Sequence, residues 1–140
     1  MSTSENFLEV MKKMQERGLS ALDAKMGIQI IEATPQRLVG TMPVEGNTQP
    51  FGLLHGGANV VLAESLGSVG AHLHAGPDRR VVGVDINATH HKAATSGIVT
   101  GVATAITLGK TLCSYEVVIS NEAGERTCTA RITCLILSQR

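Results

Sequence analysis

The chain has no tryptophan, one tyrosine (Tyr115) and two phenylalanines (Phe7, Phe51), so aromatics make up only 2% of its 140 residues. A core must then be filled by Val, Ile, Leu, Ala and Met, and an aromatic ligand would meet mostly aliphatic walls. Net charge is also missing. Twelve basic and twelve acidic residues cancel, which removes the electrostatic signature of nonspecific nucleic-acid or anionic-membrane binding. No segment approaches the roughly eighteen uninterrupted apolar residues of a membrane span, and the start of the chain lacks the basic-then-apolar order of an export signal. The expectation is a soluble, cytoplasmic protein without nucleic-acid or membrane partners. Cysteines are few and odd in number: Cys113, Cys128 and Cys134 show no CxxC spacing, which points to reduced, packed thiols rather than a disulfide frame.

With 43% hydrophobic residues, residues 1–140 suit one domain. Phe7, Val10, Met11 and Met14 fall at helical spacing between Glu5 and Arg17, giving an N-terminal helix within residues 1–20. Strands are expected over Met26–Ala33 and Arg37–Met42, parted by the turn Thr34-Pro35-Gln36, with a loop from Pro43 to Gly52. Ala58 to about His74 is apolar nearly all round, as in a buried helix. Four β-rich segments follow: Arg80–Thr89, Ile98–Leu108, Cys113–Ser120 and Thr127–Leu137. In the second, Ile98, Val102, Ile106 and Leu108 share one parity. No crossover helix separates these four, so an α+β fold is expected, an antiparallel sheet wrapped around the central helix.

Within that helix stands a carboxylate, Glu64, which burial would make expensive unless it is used. The surrounding residues offer no polar face for the alternative, a helix glutamate reaching solvent. Ser68 lies four residues on and shares its face. Gly56 and Gly57 mark the helix start, where free N–H groups and the dipole favour a developing negative charge, as an oxyanion hole does. His55 alone is as readily a helix-start histidine bonded to backbone, and Gln49 alone is an ordinary loop amide. His72, His74, His90 and His91 invite a metal reading, but a HxH at a helix end points its rings apart and adjacent strand histidines face opposite sides; no metal is expected. Gly109-Lys110-Thr111 lacks the earlier glycine and following helix of a P-loop. Arg79, Arg80, Lys92 and Lys110 are individually ordinary surface charges, able to hold phosphates only together.

Gln49-Pro-Phe-Gly-Leu-Leu-His55-Gly56-Gly57, followed by Leu-Ala-Glu64-Ser-Leu-Gly-Ser68, resembles the active-site segment of hotdog-fold acyl-CoA thioesterases. The similar branch contains the Arthrobacter-type 4-hydroxybenzoyl-CoA and 1,4-dihydroxy-2-naphthoyl-CoA thioesterases and PaaI-like proteins. The likeness continues through Val-Val-Gly83-Val-Asp-Ile-Asn-Ala-Thr-His90 and Leu108-Gly109. It implies that Glu64 is the catalytic carboxylate, as nucleophile or general base. It further implies that the Gly56 N–H polarises the thioester carbonyl, that Gln49 and His55 flank it, and that Ser68 orients water or carboxylate. Gly83, His90, His91, Lys92, Leu108, Gly109 and Lys110 fall on stretches that contact coenzyme A in relatives. The resemblance implies no cofactor, an aromatic or bulky acyl-CoA substrate, and a homodimer or homotetramer with sites between subunits. Phe51 and the span from Leu62 to His74 would line the acyl pocket. The alternatives are a thioesterase for misloaded acyl-carrier proteins, a non-catalytic acyl-CoA-binding module, and a hydratase using Asp85 and His90. The last fits poorly, because parity puts those two on opposite sheet faces.

Overall fold

The computed structural model describes residues 21–138 together with Glu5, Leu8, Glu9, Lys12 and Lys13. Those five N-terminal residues are helical, and Lys13 Nζ reaches the Pro77 carbonyl at 3.0 Å and Asp78 at 3.2 Å. The rest of the expected N-terminal helix lies outside the described residues.

Helix α1 (Ala21–Met26) comes first. It corrects the expected strand start at Met26: Ala-Leu-Asp-Ala-Lys-Met are good helix formers, and Gly27, with φ at +74°, ends the turn. Strand β1 (Gln29–Ala33) then pairs with β2 (Arg37–Pro43). After a loop comes helix α2 (Gly56–Ala75), followed by β3 (Val81–His90), β4 (Ile98–Leu108), β5 (Leu112–Ser120) and β6 (Arg126–Ile136). All six strands form one antiparallel sheet in the order β1-β2-β4-β5-β6-β3. The expected architecture stands, and β3 is an edge strand.

Helix α2 lies against this sheet. The sheet offers glycines where the helix is bulky: Gly40 of β2 pairs with Gly101 of β4, and a Cβ at either would press on Leu66 or Leu62. The helix offers glycines where the sheet is bulky, with Gly67 over Ile132 and Gly70 over Tyr115 and Leu38. Leu38, Leu62, Leu66, Tyr115 and Ile132 are fully buried, so the single tyrosine belongs to the core. Its hydroxyl donates to the Pro35 carbonyl and ties the β1–β2 turn to the sheet centre.

This packing decides the facing of β4. Val99, Gly101 and Ala103 face inward, while Ile98 and Ile106 are 47% and 51% exposed. Ile98, Val102 and Ile106 thus lie on the outer face, because the inner face must stay flat for Leu62 and Leu66, while Leu108, beyond the register shift at Ala105/Thr107, packs against the core.

Candidate active site

Helix α2 begins at His55, whose carbonyl accepts from the Ala58 N–H at 2.9 Å and whose Nδ1 accepts from the Gly57 N–H at 2.8 Å. Such side-chain capping satisfies a donor that helix geometry leaves over. The Gly56 N–H has no partner among the described residues, so it remains available at the positive end of a 20-residue helix. With Nδ1 accepting, the neutral His55 ring carries its proton on Nε2.

The preceding loop is tightly organised. Asn47 Nδ2 donates to the carbonyls of Met26 (2.7 Å) and Pro43 (2.9 Å), and its own carbonyl receives the His55 N–H at 2.9 Å. Gln49 Oε1 accepts from the Phe51 N–H, which leaves the Gln49 NH2 to donate elsewhere. Phe51 itself is 87% exposed. Gln49, Leu53, Leu54, Gly56, Asn59 and residues 90–94 line a cavity of about 350 Å³ at the helix start. Leu62, Leu66 and Val69 are instead buried under α2 and take no part in it.

Glu64 lies two turns further along α2 and is exposed in the single chain, which corrects the expectation of a buried carboxylate. It faces the inner side of edge strand β3: a Cβ on Gly83 would stand 2.9 Å from Glu64 Oε1. A β-bulge between Gly83 and Asp85 interrupts the pairing with β6 at this point, the kind of edge irregularity that re-aims side chains near sites. No hydrogen bond joins Ser68 to Glu64 among the described residues. Burial pushes the Cys134 thiol up to about 11; the nearby Ser68 hydroxyl opposes this, and Cys113 and the Glu64 charge add to the rise. Burial likewise raises Cys113 and Cys128, and all three thiols are free and buried.

The coenzyme-contact candidates fall into separate groups. His90 sits over Gly56, with Nε2 2.9 Å from where a Cβ would be, and lines the cavity with His91 and Lys92. His91 Nε2 meets Thr129 Oγ1 at 2.8 Å, and Lys92 pairs with Glu125 at 2.9 Å. Leu108, Gly109 and Lys110 lie at the other end of α2, where His74 Nε2 bonds the Gly109 carbonyl at 2.8 Å. Gly56 and His74 are roughly 27 Å apart along the axis. His72 turns instead to the Ser68 carbonyl, so the HxH rings do point apart. Strand β5 follows Gly109-Lys110-Thr111, not a helix. Asp85 opposes Thr133 on the outer face while His90 faces α2, so the hydratase pair is indeed split by the sheet.

Sequence reasoning passed over Asn59, a buried polar residue one turn into α2 whose amide lies 3.4 Å from His90 Nδ1. Its signal was a polar residue within the otherwise small and apolar stretch from Gly56 to Ala63. The proximity of Gly83 to Glu64 had no local signal, since the two lie on different elements.

The thioesterase superfamily profile matches residues 51–128. The chain is 48% identical to the 1,4-dihydroxy-2-naphthoyl-CoA hydrolase of Escherichia coli, over 71% of this chain and 74% of that protein. It is 38% identical to the proofreading thioesterase EntH of Cronobacter turicensis, over 91% and 93% respectively. The crystal structure of a mutant thioesterase from Pseudomonas aeruginosa superimposes with a TM-score of 0.82 at 37% identity, covering 90% of this chain and 92% of that one.

Proposed function

This chain belongs to the thioesterase superfamily, and from that premise we propose that it hydrolyses an aromatic or bulky acyl-CoA, with Glu64 as the catalytic carboxylate. The observation that carries the reading is the unpartnered Gly56 N–H at the start of α2. A thioester oxygen placed there gains a hydrogen bond and the helix dipole as it becomes an oxyanion. Glu64 either attacks the carbonyl carbon, giving a mixed anhydride that water opens, or takes a proton from the attacking water. In both cases the tetrahedral oxyanion collapses, the C–S bond breaks, and the coenzyme leaves as thiolate. Gln49 contributes its NH2 and His55 its Nε2–H around the same carbonyl.

Distance argues that two chains build each site. Gly56 and Glu64 are eight positions apart on one helix, roughly 12 Å along its axis, whereas reacting atoms must approach to about 3 Å. A Glu64 from a second copy removes the conflict. Edge strand β3, with Val82 and Val84 exposed, is the surface through which a homodimer would pair, and two dimers would give a tetramer. A two-fold partner that sets its Glu64 against Gly56 runs its α2 antiparallel, carrying its own Lys110 beyond the cavity mouth. Lys92 and the partner copy's Lys110 would then serve one coenzyme. The exposed Phe51 and the Leu53, Leu54, Ala93 and Ala94 part of the cavity wall suit a planar apolar acyl group. We place the enzyme in the cytoplasm; no described helix is long and apolar enough to cross a membrane.

The test is thiol release from benzoyl-, hydroxybenzoyl-, dihydroxynaphthoyl-, phenylacetyl- and fatty-acyl-CoA by the unaltered chain and by Glu64→Gln. Turnover that survives in Glu64→Gln rejects the assignment. Binding without turnover in the unaltered chain would instead mark an acyl-CoA-binding module. Single-turnover hydrolysis in heavy-oxygen water separates the mechanisms, because only the anhydride route labels Glu64.

A further inference from the structure

Asn59 is 5% exposed on the first turn of α2, and its Oδ1 is buried without a hydrogen-bond partner among the described residues. A buried carbonyl left uncompensated destabilises a fold, and alanine would both avoid that and favour the helix. Folding therefore does not account for this residue. What the amide does reach is strand β3, where Nδ2 lies 3.4 Å from His90 Nδ1.

With Nδ2 as donor, Nδ1 is the acceptor and the ring proton sits on Nε2. Nε2 is the atom held over Gly56, 2.9 Å from the position of a Cβ there. The Gly56 backbone and the His90 Nε2 thus lie side by side at one end of the cavity that Gln49, Gly56, Asn59 and His90 line together. A developing oxyanion is stabilised by donors grouped in this way. The 3.4 Å contact is long, as such bonds are before substrate loads the site.

We propose that Asn59 is a positioning residue that fixes the tautomer and tilt of His90, making His90 a further hydrogen-bond donor to the carbonyl that the Gly56 N–H, Gln49 and His55 surround. This rests on the thioesterase reading of the same cavity, and it moves His90 from a coenzyme contact to the reacting carbonyl. Glycine is required at position 56 for the same reason, since a side chain there would displace the His90 ring.

The experiment compares the full chain with Asn59→Ala, His90→Ala and the double variant, using whichever ester of the panel turns over. Histidine-labelled protein gives the His90 tautomer from long-range nitrogen–proton spectra. The wild-type ring should carry its proton on Nε2, and Asn59→Ala should mix the tautomers. His90→Ala should lower kcat by about 100-fold, as loss of one oxyanion donor does. Asn59→Ala should lower kcat on the order of 10-fold with KM little changed, and its melting temperature should be equal or higher. The double variant should be no slower than His90→Ala. A wild-type ring protonated on Nδ1, ring signals unmoved by Asn59→Ala, an unchanged kcat, or losses that multiply would each overturn the proposal. Failure of the underlying reading looks different: Glu64→Gln then keeps wild-type turnover, while the His90 spectrum still tests Asn59.

Discussion

A Cβ on Gly83 would lie 2.9 Å from Glu64 Oε1, so the carboxylate occupies space that only a glycine on edge strand β3 leaves open. The neighbouring bulge at Gly83/Asp85 gives the strand its local set. Gly83→Ala should therefore push the Glu64 side chain off its place while leaving the cavity at the helix start intact. We expect kcat to fall about 10- to 100-fold, the scale of a misplacement near 1 Å, with KM nearly constant. Placed on Glu64→Gln, the same change should cost nothing further in kcat. Additive losses would return Gly83 to a coenzyme contact.

Asp23 offers a prediction about pH. Its carboxylate accepts the Ser65 hydroxyl at 2.6 Å, which tethers α1 to α2. Burial raises its pKa above 3.8, and the Ser65 bond only partly opposes this. A raised folded-state pKa means that the contribution to stability is fully present below about pH 3.8 and is lost as pH rises through the folded value. At neutral pH the charged group is thus held at some cost. An asparagine at this position keeps an acceptor for Ser65 without the charge. Asp23→Asn should melt higher than wild type at pH 7, and the gap should close as the pH falls toward 3.8. A gap that widens on acidification would contradict the burial argument.

The helix–sheet contact makes a third prediction. A Cβ on Gly70 would meet the Tyr115 hydroxyl at 2.5 Å and Leu38 Cδ1 at 2.6 Å, all within a rigid core. Gly70→Ala should destabilise the fold by about 1–3 kcal/mol, the usual cost of overpacking, despite alanine's better helix propensity. Urea unfolding reads this directly, and kcat per folded molecule should stay close to wild type. Unchanged stability would mean that α2 can lift from the sheet.

How much of this was legible in the sequence depended on range. Helix α2 was visible because its small apolar run is bounded by His55 and by Gly76, whose φ of +93° lets the chain turn away. The strands after it were visible from β-branched residues and turns. Helix α1 was not, because six residues are too few to display a period. The facing of β4 was hidden for another reason: its inward residues are small, and only Leu62 and Leu66 from a distant element explain them. The same division runs through the site. Gln49, His55, Gly56 and Glu64 lie within one short stretch, so the resemblance to a known family motif could propose them together. Asn59–His90 and Gly83–Glu64 are contacts between the helix and an edge strand, which linear spacing does not encode. Helical spacing puts Ser68 on the Glu64 side of α2, but it could not show that Cys134 of β6 lies near the same hydroxyl.

His55 does two things that substitution can separate. Its Nδ1 caps α2 by accepting the Gly57 N–H at 2.8 Å, and in the proposed mechanism its Nε2–H faces the bound thioester. Alanine removes both, while asparagine, a strong N-cap residue, restores the first with a shorter side chain that withdraws the second. His55→Ala should lose about 1 kcal/mol of stability, and His55→Asn should recover most of it. Turnover should remain depressed in both, by about 100-fold where the Nε2–H supports the oxyanion. Full activity in His55→Asn would assign His55 to capping alone and leave the carbonyl to Gly56, Gln49 and His90.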